Sequence, residues 1–273
     1  MLSCRAGQVP VARSLRDEGP MNLACRKELF FAVVLVSTAS SAQELDLDDL
    51  ESRTEYAWFT EDANSLRNLI RAAEGDLAKN SVSTLARYEV GLANYRLGLL
   101  LMQKSAGEAA TVLADCIDQL DEVVEADEDF AEGYALQSAC YASLAELQVW
   151  KAVVFAPLCS ARMEKANKLA PENPRVVLLG GLADRALPRA FGGDKARAQS
   201  KFKRAVQLFE EGGTQAPGGP RWGAADAYLR VGQGLIEAGD TLGARNALER
   251  ALIIAPDFSA ARRELRQLTG ASR

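Results

Sequence analysis

The chain contains no histidine among its 273 residues. That removes the commonest general base and the commonest metal ligand. Serine–histidine and cysteine–histidine chemistry is excluded, and so is any zinc site that needs imidazole. What remains is carboxylates, cysteines and one glycine-rich turn. Asp46, Asp48 and Asp49 sit close together, but no Gly turn or distal bidentate Glu follows at calcium-loop spacing. A solvated acidic arm is the plainer reading. Phe191-Gly192-Gly193-Asp194-Lys195 places glycines and a Lys at a helix start, where an anion can sit. Asp194 already caps that start, however, and the longer phosphate-loop spacing is absent. Glu210 and Glu211 are adjacent, so they point to different helix faces and cannot share a proton. Cys116, Cys140 and Cys159 lack Cys-x-x-Cys spacing, which argues against zinc. The residue types thus predict no enzyme, no metal and no cofactor.

The elements that must position any site are helical. Hydrophobic residues are 48% and charged residues 25% of the chain, the ordinary globular balance. Ala, Leu, Glu and Arg abound, and alternating β-branched runs are few. Residues 225–258 read ADAYLRVGQGLIEAGDTLGARNALERALIIAPDF. Tyr228, Val231, Gly232 and Leu235 recur along a first helix, and Ala244, Leu248 and Ala251 along a second. Gly239 ends the first, Asp240 caps the second, and Pro256 closes the unit. Gly232, Ala244 and Ala251 are small where two helices must approach closely.

This stretch resembles one complete tetratricopeptide repeat, a helix–turn–helix of about 34 residues. The resemblance implies an all-α solenoid. Residues 84–268 then divide into about four degenerate units. Ser81–Lys104 pairs with Glu108–Ala126, Phe130–Trp150 with Leu158–Ala170, and Arg175–Leu187 with Lys195–Glu211. The last pair is the clear repeat, and Phe258–Leu268 forms a C-terminal cap. Three units are enlarged, by Val149–Pro157 and by the turn around Phe191-Gly192-Gly193 among others. Gly180 and Gly181 inside a helix imply close packing. The turn Pro188-Arg189-Ala190-Phe191-Gly192-Gly193 is similar to that of an exported bacterial repeat group with a Pro-x-x-Phe-Gly-Gly signature. That group implies no defined activity.

Upstream, Met21 begins a short basic segment, Leu29–Val36 is apolar, and Ser40-Ser41-Ala42 supplies small residues for cleavage. The expectation is a start at Met21, an export signal cut after Ala42, and a periplasmic or secreted mature chain. The apolar run is too short to span a bilayer. Cys25 precedes that run, the wrong place for lipid attachment. Residues 43–83 read as a loose acidic arm, to about Glu51, followed by a capping helix over Glu55–Ala78. Residues 84–273 read as the repeat domain.

Residues 43–130 carry 20 acids and 7 bases, and residues 161–273 carry 12 acids and 19 bases. Solvated faces of opposite sign account for this. A basic surface for an acidic partner is the sharper reading. Nucleic acid is disfavoured by the acidic balance of the whole. Cys116 and Cys159 occupy equivalent repeat positions, about 10 Å apart and too far to bridge. Only Cys140 stands to pair with either, and three small buried thiols are expected.

First helices of such repeats line an extended groove. The groove-facing offsets fall on Arg175, Leu178, Leu182 and Arg185, and on Asp226, Leu229, Gln233, Ile236 and Glu237. This mixture with two Arg suits a peptide carrying an acidic group, and ordinary surface residues are the plainer alternative. Trp222 either caps the groove or packs under the linker at 212–220. The sequence therefore predicts a non-catalytic exported scaffold that binds a protein or peptide. The alternative is a small-molecule-binding periplasmic component of envelope transport, with the enlarged turns lining a channel.

Overall fold

A computed structural model describes residues 46–77, 83–212 and 219–270. The export signal, Met21 and the cleavage site at Ala42 lie outside the described residues. Eleven α-helices and no strands occur among those described. They are α1 (Leu47–Phe59), α2 (Ala63–Leu77), α3 (Thr84–Leu101), α4 (Ala106–Ala126), α5 (Ala131–Leu147) and α6 (Ala152–Leu169). Then follow α7 (Pro174–Ala186), α8 (Lys195–Glu210), α9 (Ala224–Glu237), α10 (Thr241–Ile254) and α11 (Ser259–Leu268).

Four antiparallel pairs form the stack: α3 with α4, α5 with α6, α7 with α8, and α9 with α10. Small residues set their closeness. A Cβ added to Gly98 would stand 2.7 Å from Leu113, one on Gly181 2.5 Å from Phe202, and one on Gly232 2.9 Å from Leu248. In each of these pairs the first helix thus bares its backbone to a large side chain of the second, the packing that the repeat spacing predicts. The opposing faces are apolar and buried, as with Ala198, Phe202 and Ala205 on α8 and Ala244, Leu248 and Ala251 on α10. Helix starts follow the expected caps. Asp194 accepts from the backbone N–H of Ala196 and Arg197, and Asp240 from that of Gly243. Gly239 turns the chain with φ +79°, in the left-handed region.

Four expectations change. Residues 43–51 are not simply a loose arm: Asp46 caps α1, which starts at Leu47. An apolar line of Leu50 and Ala57, with Thr54 between them, buries this helix. The expected single helix over 55–78 is two. It breaks at Thr60–Asp62, where Glu61 takes φ +57° and Asp62 caps α2 through the N–H groups of Asn64 and Ser65. The second helix of the second unit starts at Ala152, six residues before Leu158, and runs through Pro157. Pro157 is its sixth residue, past the first turn, so the helix forgoes the bond that an N–H there would donate to the Val153 carbonyl. Finally, Cys116 and Cys140 form a disulfide, with Cα atoms 6.7 Å apart, and only Cys159 is a free buried thiol among the described residues. The second helix of one unit packs against the first helix of the next, so α4 and α5 bring these two together. Closing a loop of 24 residues' separation stabilises the fold by about 3 kcal/mol in the chain-entropy account.

Candidate functional site

The first helix of every pair turns one edge toward a shared cavity of about 430 Å³. Tyr95 and Leu99 enter from α3, Ser143 and Glu146 from α5, Leu182 and Arg185 from α7, and Leu229, Arg230 and Gln233 from α9. Trp58, at the end of α1, forms one wall, and Lys195 and Arg263 stand at its margin. The lining holds four cations, Arg185, Lys195, Arg230 and Arg263, against two acids, Glu61 and Glu146.

Two of these cations are committed. Arg263 Nη2 pairs with Glu61 Oε1 at 2.8 Å, and Arg185 Nη2 with Glu237 Oε1 at 2.7 Å. That pairing holds the Glu237 carboxyl below its ordinary range. Arg230 is different. Its guanidinium donates to Gln233 Oε1 at 3.1 Å and, among the described residues, forms no ion pair. Burial lowers its pKa, against the pull of Tyr95, Asp226 and Glu146. Burial also raises the Glu146 carboxyl, against the pull of Arg185 and Arg230. The cavity lining therefore holds more cations than acids and, among the described residues, one guanidinium with no ion pair.

Beside the cavity lies α1, seated across the first helices. Trp58 Nε1 donates to Asp226 Oδ1 on α9 at 2.8 Å. Arg96 of α3 reaches Glu55 at 3.4 Å and Asp226 at 4.0 Å. Its guanidinium lies between the rings of Trp58, 5.9 Å away, and Trp222, 5.4 Å away. Arg221 binds Glu51 and Asp48 at 2.9 and 2.8 Å. Phe59 meets Phe258, with ring centroids 4.7 Å apart. Under α1, Glu89 is buried, and neither carboxyl oxygen has a hydrogen-bond partner among the described residues. Burial, reinforced by Glu51, pushes its pKa up to about 8.

The residues read as groove-facing divide accordingly. Leu182, Arg185, Leu229 and Gln233 line the cavity, and Glu237 holds Arg185 at its edge. Arg175 and Leu178 are fully buried beneath it, Arg175 against Glu132 at 3.4 Å. Asp226 is buried and engaged by Trp58. Ile236 packs in the last core cluster, with Leu248 and Phe258. Trp222 is buried and donates to the Tyr88 hydroxyl at 3.1 Å. Sequence reasoning misses Arg230, although it lies four residues after Asp226 and one after Leu229, on the same helical stripe. It misses Arg96 and Trp58 as partners because nothing local in the sequence says that α1 folds back.

The Phe191-Gly192-Gly193 turn has a structural job. Gly192 takes φ +96°, and a Cβ on Gly193 would collide with the Leu187 carbonyl oxygen. Arg197 ties the turn to α7, donating to Gly192 O at 2.6 Å and to Asp184 at 2.7 and 2.9 Å. Phe191 and Gly192 also border a second cavity of about 430 Å³ with Met163, Ala183 and Leu187. Residues 149–157 line neither this cavity nor the central one. Among the described residues, no group of His, Cys, Asp or Glu is placed to hold a metal ion.

No family model matches the sequence, and no curated protein matches it. Solved structures do resemble the fold. One is TTC0263, a thermophilic TPR protein of Thermus thermophilus, with TM-score 0.55 and 15% identity. The match covers 82% of this chain and 99% of that one. Yeast Tom70 aligns at TM-score 0.34 and 14% identity, over 85% of this chain and 58% of that one, too remote to carry an argument. The fold is thus a tetratricopeptide-like α-solenoid of four helix pairs with terminal helices.

Proposed function

We propose that this chain is a non-catalytic scaffold that binds a protein or peptide segment bearing an acidic group on the inner face of its solenoid. The observation that carries this is Arg230, a part-buried guanidinium with no ion pair among the described residues, aimed into a cavity with four cations and two acids. A carboxylate is the ligand group that fits a guanidinium fork. The chain supplies a precedent, since α1 already lies on this face through Glu51, Glu55 and Trp58. Export to an oxidising compartment is part of the same proposal. The basic, apolar and small-residue order of residues 21–42 supports it, and so does the Cys116–Cys140 bridge.

Crosslinking pull-down from the native envelope tests it. The intact chain should return a reproducible protein partner, and Arg230→Gln should lower its recovery at least about tenfold, as for loss of one charge-assisted pair. A blank with the intact chain, or equal recovery by the variant, would count against the proposal. The second cavity, walled by Met163, Leu187 and Phe191, favours one alternative, a small apolar ligand in envelope transport. Native mass spectrometry showing a retained small molecule and no protein partner would select it.

A further inference from the structure

The 3-10 turn Val149–Lys151 and the start of α6 carry an apolar stripe that is left exposed among the described residues. Trp150, Val153, Val154 and Leu158 recur at helical spacing, and Val149 flanks them. These five are between 41% and 77% exposed, Trp150 the most. Their line runs about 12 Å along the helix. The stripe exists because this helix begins six residues earlier than the repeat spacing expects, so its first turns outrun the packing of its unit. It shares no lining residue with the central cavity.

The charge beside the stripe is Lys151; the next base along the helix, Arg162, pairs with Asp121 at 3.3 Å. Residues 147–163 contain Lys151 and Arg162 and no Asp or Glu, in a chain with 37 acids. The Lys151 ammonium lies 4.7 Å from the centre of the Trp150 ring. Tryptophan beside lysine at the end of an apolar helical face is the pairing suited to a headgroup boundary. Five side chains also fall far short of the roughly 20–30 residues a side that a stable protein interface uses, whereas shallow insertion needs only a small apolar ridge with a basic flank. No described helix is long and apolar enough to cross a membrane, so the contact would lie in the plane of the surface.

We propose that the Trp150–Leu158 face, formed by the turn at Val149–Lys151 and the start of α6, docks the protein on an anionic lipid surface, with Trp150, Val153 and Val154 entering the headgroup boundary and Lys151 meeting the lipid phosphates. The test is sedimentation of the full chain with vesicles of equimolar phosphatidylcholine and phosphatidylglycerol, and with phosphatidylcholine alone. The intact chain should partition to the anionic vesicles with a blue shift of tryptophan emission. Trp150→Ser with Val154→Ser should lower partitioning at least tenfold. Lys151→Glu should weaken it on anionic vesicles alone, and Trp150→Phe should abolish the blue shift. Leu242→Ser, which removes another exposed apolar side chain, should change nothing. Unchanged melting curves would confirm that the variants fold. Partitioning that survives the double variant would place the contact elsewhere, for instance in residues 29–36, and overturn the inference. So would a dimer in solution that the same double variant splits, since the stripe's occupant would then be a second copy.

Discussion

At the scale of single residues, Glu89 is a carboxyl buried at a cost. It sits on α3 under α1 with neither carboxyl oxygen hydrogen-bonded among the described residues, and Glu51 and Glu55 add negative charge nearby while Arg96 and Arg175 oppose it. A carboxyl in such a place keeps its proton. The folded chain therefore holds a proton up to about 8 that the unfolded chain releases near 4.5. Between those values the folded state binds more protons, so stability is full at the acid end and falls as pH rises. At about 1.4 kcal/mol per pH unit the whole span bounds the loss near 5 kcal/mol. Glu89→Gln keeps the shape and removes the titration. Urea midpoints should fall from pH 5 to pH 8 in the intact chain and stay nearly level in the variant, which should be the more stable at pH 8. Parallel pH profiles would mean that Glu89 is solvated and α1 does not cover it.

At the scale of elements, α1 is held by a few strong contacts rather than a broad apolar face. Arg96 is the centre, buried between two indole rings and shared by Glu55 and Asp226. Removing one partner of a buried ion pair strands the others. Arg96→Met should cost about 3 kcal/mol and should loosen α1, so that limited proteolysis cuts near Thr60–Asp62 before any other helix opens. Equal cutting rates in both forms would show that α1 is anchored otherwise. The local order of this fold is legible in the sequence: the Gly and Ala positions predict the helix pairs, and Asp194, Asp240 and Gly239 predict helix ends. Those signals act within one unit, over three or four residues. The docking of α1 is not legible, because its partners lie far along the chain, Arg221 being 173 residues from Asp48, and its acids look like solvated charges. The disulfide escapes for a similar reason. Repeat equivalence compares second helices with each other, while Cys116 meets Cys140 across a junction between units.

At the scale of the whole molecule, the charge asymmetry of the sequence is partly spent inside the chain. The acidic N-terminal third reaches the basic C-terminal third through Asp48 and Glu51 with Arg221, Glu61 with Arg263, and Trp58 with Asp226. A plain solenoid is stabilised by nearest-neighbour contacts, so its end units can fray independently. Here α1 ties the first unit to the last, and fraying of α9–α11 must break contacts with α1 as well. The intact chain should therefore unfold in one transition, with far-ultraviolet circular dichroism and tryptophan emission giving coincident urea curves. Combining Glu51→Gln, Trp58→Phe and Glu61→Gln leaves every helix pair unchanged and weakens the ties, with Asp48–Arg221 and Phe59–Phe258 still in place. The two curves should then separate, because α9–α11 melt ahead of the central pairs and carry the environment of Trp222 with them. High salt should push the intact chain partway in the same direction, since the Arg221 and Arg263 pairs are exposed enough to be screened. Coincident curves in the triple variant would mean that the stack stays cooperative without these three contacts, and that they do not strap its ends together.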